Sequence, residues 1–165
     1  MKLSRPTSIL AKLYVFLPKF SSEMNTYHHE VKYYECDRMG ITHHSNYVRI
    51  MEEARVDYLD QLGYGFDKIE AEGVVSPVIS IECNYKHPTT FKDIIDVKVT
   101  ISQFTEVKFE FSYEMRHGDK VVCTGKSLHC FTENGHIVAI SKRLPGLYAA
   151  ICAQNETNNQ QTGKQ

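Results

Sequence analysis

Positions 33–47 read Tyr-Tyr-Glu-Cys-Asp-Arg-Met-Gly-Ile-Thr-His-His-Ser-Asn-Tyr, and here residue type and spacing could do chemistry. Asp37 leaves the end of an alternating segment, and His44 arrives where a helical pattern begins. The first backbone N–H groups of a helix lack internal partners, and that end of its dipole is positive. Such a terminus can hold a developing oxyanion. A carboxylate opposite it can attack a carbonyl carbon or deprotonate a water. The pair therefore permits acyl hydrolysis. An aspartate ahead of a helix is also a common cap or turn residue, so spacing alone leaves both readings open. His28-His29, His43-His44, Glu35 and Asp37 suggest a metal hydrolase, but adjacent histidines on strand and loop point in different directions and no His-Glu-x-x-His run occurs. Cys36, at an alternating strand end, points away from Asp37 and makes a poor nucleophile candidate.

The elements that must position these groups follow from periodicity. Residues 29–34 are rich in Val and Tyr and suit a first strand. Ser45 or Asn46 would cap the helix that follows. Its apolar stripe is Tyr47, Ile50, Met51, Ala54, Tyr58, Leu59 and Leu62, at three- and four-residue steps, and Gly63 ends it. After a polar connection the period changes to two. Strands are expected at 74–85, 94–104, 107–115 and 121–132, with 137–140 closing the sheet and a short helix at 147–152. Asn134-Gly135 is a hairpin signal. One helix can bury only one face of such a sheet, so the other face and the edges need solvent or a partner subunit.

The bulk numbers bound the class. A chain of 165 residues with 42% hydrophobic and 24% charged residues is ordinary for one globular domain. A net charge of −1 supplies no field to gather nucleic acid or anionic lipid, and no apolar run spans a bilayer. Nucleic-acid binding and integral membrane association are therefore not expected. The five cysteines are scattered, odd in number and without a Cys-x-x-Cys pair, which suits reduced thiols in the cytoplasm. Residues 1–23 are basic and lack a secretory pattern. They are read as a poorly structured leader or upstream extension, with the domain at 24–152 and a disordered Asn/Gln/Thr-rich tail at 153–165.

The pattern Tyr33-x-x-x-Asp37-x-x-Gly40-Ile41-x-x-His44-x-x-Tyr47, continuing to Met51-Glu52-Glu53-Ala54-Arg55, resembles the front of the 4-hydroxybenzoyl-CoA thioesterase family of hotdog proteins, in its bacterial acyl-CoA thioesterase branch. The resemblance implies an α+β hotdog fold, one long helix wrapped by a curved antiparallel sheet of five to six strands. It implies hydrolysis of acyl-CoA, of short to medium chain or broad range, with Asp37 as nucleophile or general base. His44 and Tyr33 complete the implied site, with Ser76 and Tyr47 as substrate-binding candidates. It further implies a homodimer or homotetramer and neither metal nor cofactor. Aroyl-specific members carry an aromatic residue where His44 stands, so this histidine points away from aromatic substrates.

Two rival classes share that fold. A hotdog hydratase or dehydratase would carry an Asn-Pro step near its aspartate, and none occurs in this chain. A non-catalytic acyl-binding assembly subunit would have no need of Tyr33, Asp37 and His44 together.

Overall fold

The computed structural model describes residues 24–162, with side chains described through residue 155. The expected leader at 1–23 lies outside the described residues. The elements are β1 (Tyr27–Glu30), a 3₁₀ turn (Tyr33–Glu35), α1 (His44–Gln61), α2 (Phe66–Ala71), β2 (Val78–Tyr85), β3 (Ile94–Phe104), β4 (Lys108–His117), β5 (Lys120–Cys130), β6 (Thr132–Glu133), β7 (His136–Ile137), α3 (Ile140–Arg143) and α4 (Pro145–Thr162).

Five strands form one antiparallel sheet in the order β1-β3-β4-β5-β2, and β6-β7 stand apart as a two-stranded hairpin. Alternation fixes the buried face. Ile95, Val97, Val99 and Ile101 of β3 lie beside Phe109, Phe111, Tyr113 and Met115 of β4, all buried. The stripe of α1 joins them in one core, with Tyr47, Ile50, Met51, Ala54, Tyr58, Leu59 and Leu62 all buried. Burying a side chain of this size contributes about 1.5–3 kcal/mol. At Gly125 the sheet leaves no room for a Cβ against the Met51 side chain of α1. The α+β class and the antiparallel sheet thus agree with expectation, at five strands.

Four local differences have identifiable causes. The first strand ends at Glu30 rather than Tyr34, because the Glu35 carboxylate accepts the Lys32 N–H at 2.7 Å and turns the chain into the 3₁₀ turn. The connection after Gly63 contains the short α2, and β2 begins at Val78, four residues later than expected. The segment 137–140 does not close the main sheet, since β7 pairs only with β6 across Asn134-Gly135, both at positive φ. The terminal helix is longer than expected. Leu147, Ile151 and Gln154 are buried, and α4 carries the supposedly disordered polar tail to Thr162.

Candidate active site

The loop from Cys36 to Thr42 is a closed unit. Its feet meet in a Cys36–Thr42 bridge, the Asp37 N–H donates to the Ile41 carbonyl at 2.8 Å, and Gly40 supplies the left-handed turn at φ 75°. The connection between β2 and β3 buttresses it. Thr42 N–H donates to the Thr89 carbonyl, the two hydroxyls lie 2.7 Å apart, and the Thr90 hydroxyl donates to the Gly40 carbonyl. Asp37 Oδ1 accepts the Met39 N–H at 2.7 Å, which is the turn role that spacing left open. Its other carboxylate oxygen takes no bond from the described residues, so the same side chain shapes the turn and keeps an acceptor free.

The start of α1 is fastened to this loop through Glu35, whose carbonyl accepts from His43 N–H and from Asn46 Nδ2, both at 2.8 Å. The N-cap is His43, not Ser45 or Asn46 as the sequence suggested, because its ring nitrogen accepts the Ser45 N–H. Four amides open a helix without internal partners. Here the amide of His43 goes to Glu35, that of Ser45 to the His43 ring and that of Asn46 to the His43 carbonyl. Among the described residues nothing accepts from the amide of His44. It is the free donor of the helix mouth.

Asp37 and His44 line one cleft of about 380 Å³ with Met39, Ile41, Thr42, Tyr47, Tyr85, Lys86, His87 and Pro88. Its walls are largely apolar, and Lys86 brings a cation to it. The Tyr85 hydroxyl donates to the His44 carbonyl at 3.1 Å, and its ring packs edge-on to Tyr47. Tyr47 is buried, its hydroxyl 3.0 Å from Thr89 Oγ1, and burial pushes its phenol above the ordinary value. Asp37, with one carboxylate oxygen unbonded, and His44, with an unpartnered helix amide, thus both line an apolar cleft that packed side chains do not fill. That is the equipment for adding oxygen to a polarised carbonyl.

Residues 31–147 match the family described as the thioesterase-like superfamily. The chain belongs to this superfamily. A protein of Aquifex aeolicus whose name proposes an esterase is 35% identical over 118 residues, 72% of this chain and 92% of that protein. A Bacillus subtilis protein whose name proposes an acyl-CoA thioesterase is 35% identical over 86 residues, 52% of this chain and 62% of that protein. In fold, the chain resembles the solved DHNA-CoA thioesterase of Staphylococcus aureus with a TM-score of 0.79 at 24% identity, over 82% of this chain and 93% of that one. The enzyme class expected from the sequence, an acyl-CoA thioester hydrolase, stands with the family.

Within this thioesterase the structure brings together Asp37, His44 and Tyr47 and leaves two expected residues aside. Tyr33 sits in the 3₁₀ turn rather than on a strand with Asp37. It is 80% exposed, packs edge-on to Phe91, and does not line the cleft. Ser76 likewise lies off the cleft, its hydroxyl buried without a hydrogen-bond partner among the described residues. Tyr85, Lys86 and His87 line the cleft, and sequence reasoning assigned them no role. The abrupt end of an alternating strand at Tyr85, followed by Lys-His-Pro, was the available signal.

A second polar group sits in the core. Arg55 Nη1 donates to His129 Nε2 at 3.0 Å, the Ser127 hydroxyl lies 2.7 Å from the same nitrogen, and the Tyr113 hydroxyl lies 2.8 Å from Ser127. Arginine only donates, so His129 accepts at Nε2 and carries its proton on Nδ1. Burial, reinforced by the Arg55 charge, lowers the imidazole to about 4. Among the described residues, the Nε atom of Arg55, the Tyr58 hydroxyl and His129 Nδ1 are buried without hydrogen-bond partners.

Proposed function

We propose that this superfamily member hydrolyses acyl-CoA thioesters of short to medium chain or broad range at the cleft between the 37–42 loop and the mouth of α1. The observation carrying this reading is the pairing, in one cleft, of a free carboxylate oxygen on Asp37 with the unpartnered amide of His44. The thioester carbonyl oxygen lies toward the amide, which takes up charge as the carbonyl carbon becomes tetrahedral. Asp37 either draws a proton from the water that adds, or adds itself to give an anhydride that water opens. The C–S bond breaks, and the CoA thiolate leaves and takes a proton. His44 orients the carbonyl or delivers that proton. Tyr47, Ile41 and Met39 offer apolar surface to the acyl group, and Lys86 offers charge to CoA phosphate.

The working form we propose is a cytoplasmic homodimer or homotetramer. Val78, Ile79, Ile81 and Tyr85 on edge strand β2 are 43–49% exposed, an apolar edge with free backbone groups of the kind a second copy covers. Thiol release across acyl-CoA lengths, run beside hydration of an enoyl-CoA, tests the chemistry. Thiol release without hydration is expected. Hydration without thiol release would transfer the site to the hydratase class.

A further inference from the structure

Cys83 and Cys123 face each other across the β2–β5 ladder with their sulfurs 3.4 Å apart. Register pairs Cys83 with Gly125 and Tyr85 with Cys123, so the two cysteines are diagonal neighbours on the face that meets α1. Cys83 is half-buried on the edge strand, whereas Cys123 is fully buried. The aromatic groups nearest along the ladder belong to the cleft. Tyr85 is two residues from Cys83, holds the His44 carbonyl through its hydroxyl, and packs against Tyr47 and His44.

We infer that Cys83 and Cys123 form a peroxide-responsive dithiol, and that its oxidation to an intramolecular disulfide distorts the acyl-CoA cleft through Tyr85. The regulatory half of this inference rests on the proposed thioesterase reading. The disulfide half does not. The two sulfurs have unequal roles. A hydrogen bond from Cys123, offset by burial and aided by Tyr85, lowers the Cys83 thiol to about 7. The same hydrogen bond and burial raise Cys123. Cys83, half-buried on the edge strand, is the sulfur an oxidant can reach, and the fully buried Cys123 resolves it.

The steps balance. Cys83 thiolate attacks one oxygen of hydrogen peroxide, the O–O bond breaks, and sulfenic acid and hydroxide form. The Cys123 thiol then attacks the Cys83 sulfur, forming the S–S bond and expelling the sulfenic oxygen, which leaves as water with the Cys123 proton. Two thiols lose two electrons and two protons, and peroxide is reduced to water.

Geometry gives the bond its effect. A disulfide requires its sulfurs about 2.05 Å apart, and diagonal cross-strand Cα atoms at about 7–8 Å lie outside its usual span. The strands must draw together. β5 is held between β4 and β2, while β2 is an edge with an irregularity near Val78 and Ser80, so β2 is the strand that yields. Tyr85 moves with it and pulls on the mouth of α1.

The test treats the reduced full-length protein with hydrogen peroxide, alkylates the remaining thiols, and maps linked peptides by mass, with turnover measured in parallel. The expected result is a Cys83–Cys123 linkage with loss of two hydrogens per chain. Turnover should fall about tenfold to a hundredfold, the scale of an ångström-sized misplacement at a site, and return with dithiothreitol. Cys83→Ser and, separately, Cys123→Ala should keep reduced-enzyme turnover and lose the peroxide response. A linkage through other cysteines, or Cys123 still alkylated while Cys83 is oxidised, would overturn the pair. Linkage with unchanged turnover would overturn the regulation. A reduced protein that hydrolyses no thioester would instead remove the thioesterase reading, and the peptide map would still decide the pair.

Discussion

Two of the places where helix α1 meets polar groups differ in almost every physical respect. At its mouth, Asp37 and the His44 amide keep unused hydrogen-bonding capacity, and both residues line one cleft. Further along, Arg55 enters the core and meets His129, Ser127 and Tyr113, all buried. At the second place burial and the Arg55 charge lower His129 to about 4, yet none of the four residues lines the cleft that Asp37 and His44 border. Shifted titration alone is therefore a poor guide to chemistry in this protein. Unspent donors and acceptors on residues that line a cleft are the better one, and of these two places the helix mouth has them.

The comparison can be broken or sharpened by experiments at both places. The largest expected effect is at the mouth. Asp37→Asn should lower kcat by about 10²- to 10⁴-fold, the usual contribution of a positioned acid–base group, with circular dichroism unchanged. The core cluster should answer in stability. Folded His129 titrates near 4 and an unfolded histidine near 6.5, so between those values the unfolded chain binds the extra proton. Its contribution is fully present above pH 6.5 and is lost as pH falls toward 4. Urea unfolding at pH 7 and pH 4.5 should differ by roughly 2–3 kcal/mol more in the parent than in His129→Gln. His44→Ala leaves the backbone amide in place and should lower kcat by about tenfold or less. Tyr33→Phe, on an exposed ring outside the cleft, should change kcat by no more than about twofold, the scale of an ordinary surface substitution. A larger loss at Tyr33 would mean that the cleft is completed from elsewhere.

Much of the architecture was legible because it obeys a period. The stripe from Tyr47 to Leu62 fixes α1, and alternation in β3 and β4 fixes the central strands and their buried face. What escaped depends on single non-periodic contacts. The bond from Lys32 N–H to the Glu35 carboxylate ends β1 early and takes Tyr33 off the strand. The His43 ring, rather than a serine or asparagine, caps α1. The polar residues of α4 carry no apolar stripe past Ile151, and the helix continues because its first turns are docked in the core. At the site, Asp37, His44 and Tyr47 are close in sequence and were found by motif. Tyr85, Lys86 and His87 join them through the β2–β5 ladder, the Tyr85 contacts to His44 and Tyr47, and the Thr89 and Thr90 contacts, which no local spacing displays.

The account turns on whether Asp37 acts in the chemistry rather than in shaping its loop. Single-turnover hydrolysis of an acyl-CoA, set beside affinity for the matching unreactive thioether, separates the two in Asp37→Asn. The account expects the chemical step to slow by about 10²-fold or more while thioether affinity stays close to that of the parent enzyme. A chemical step at the parent rate, or a loss confined to affinity, would contradict it.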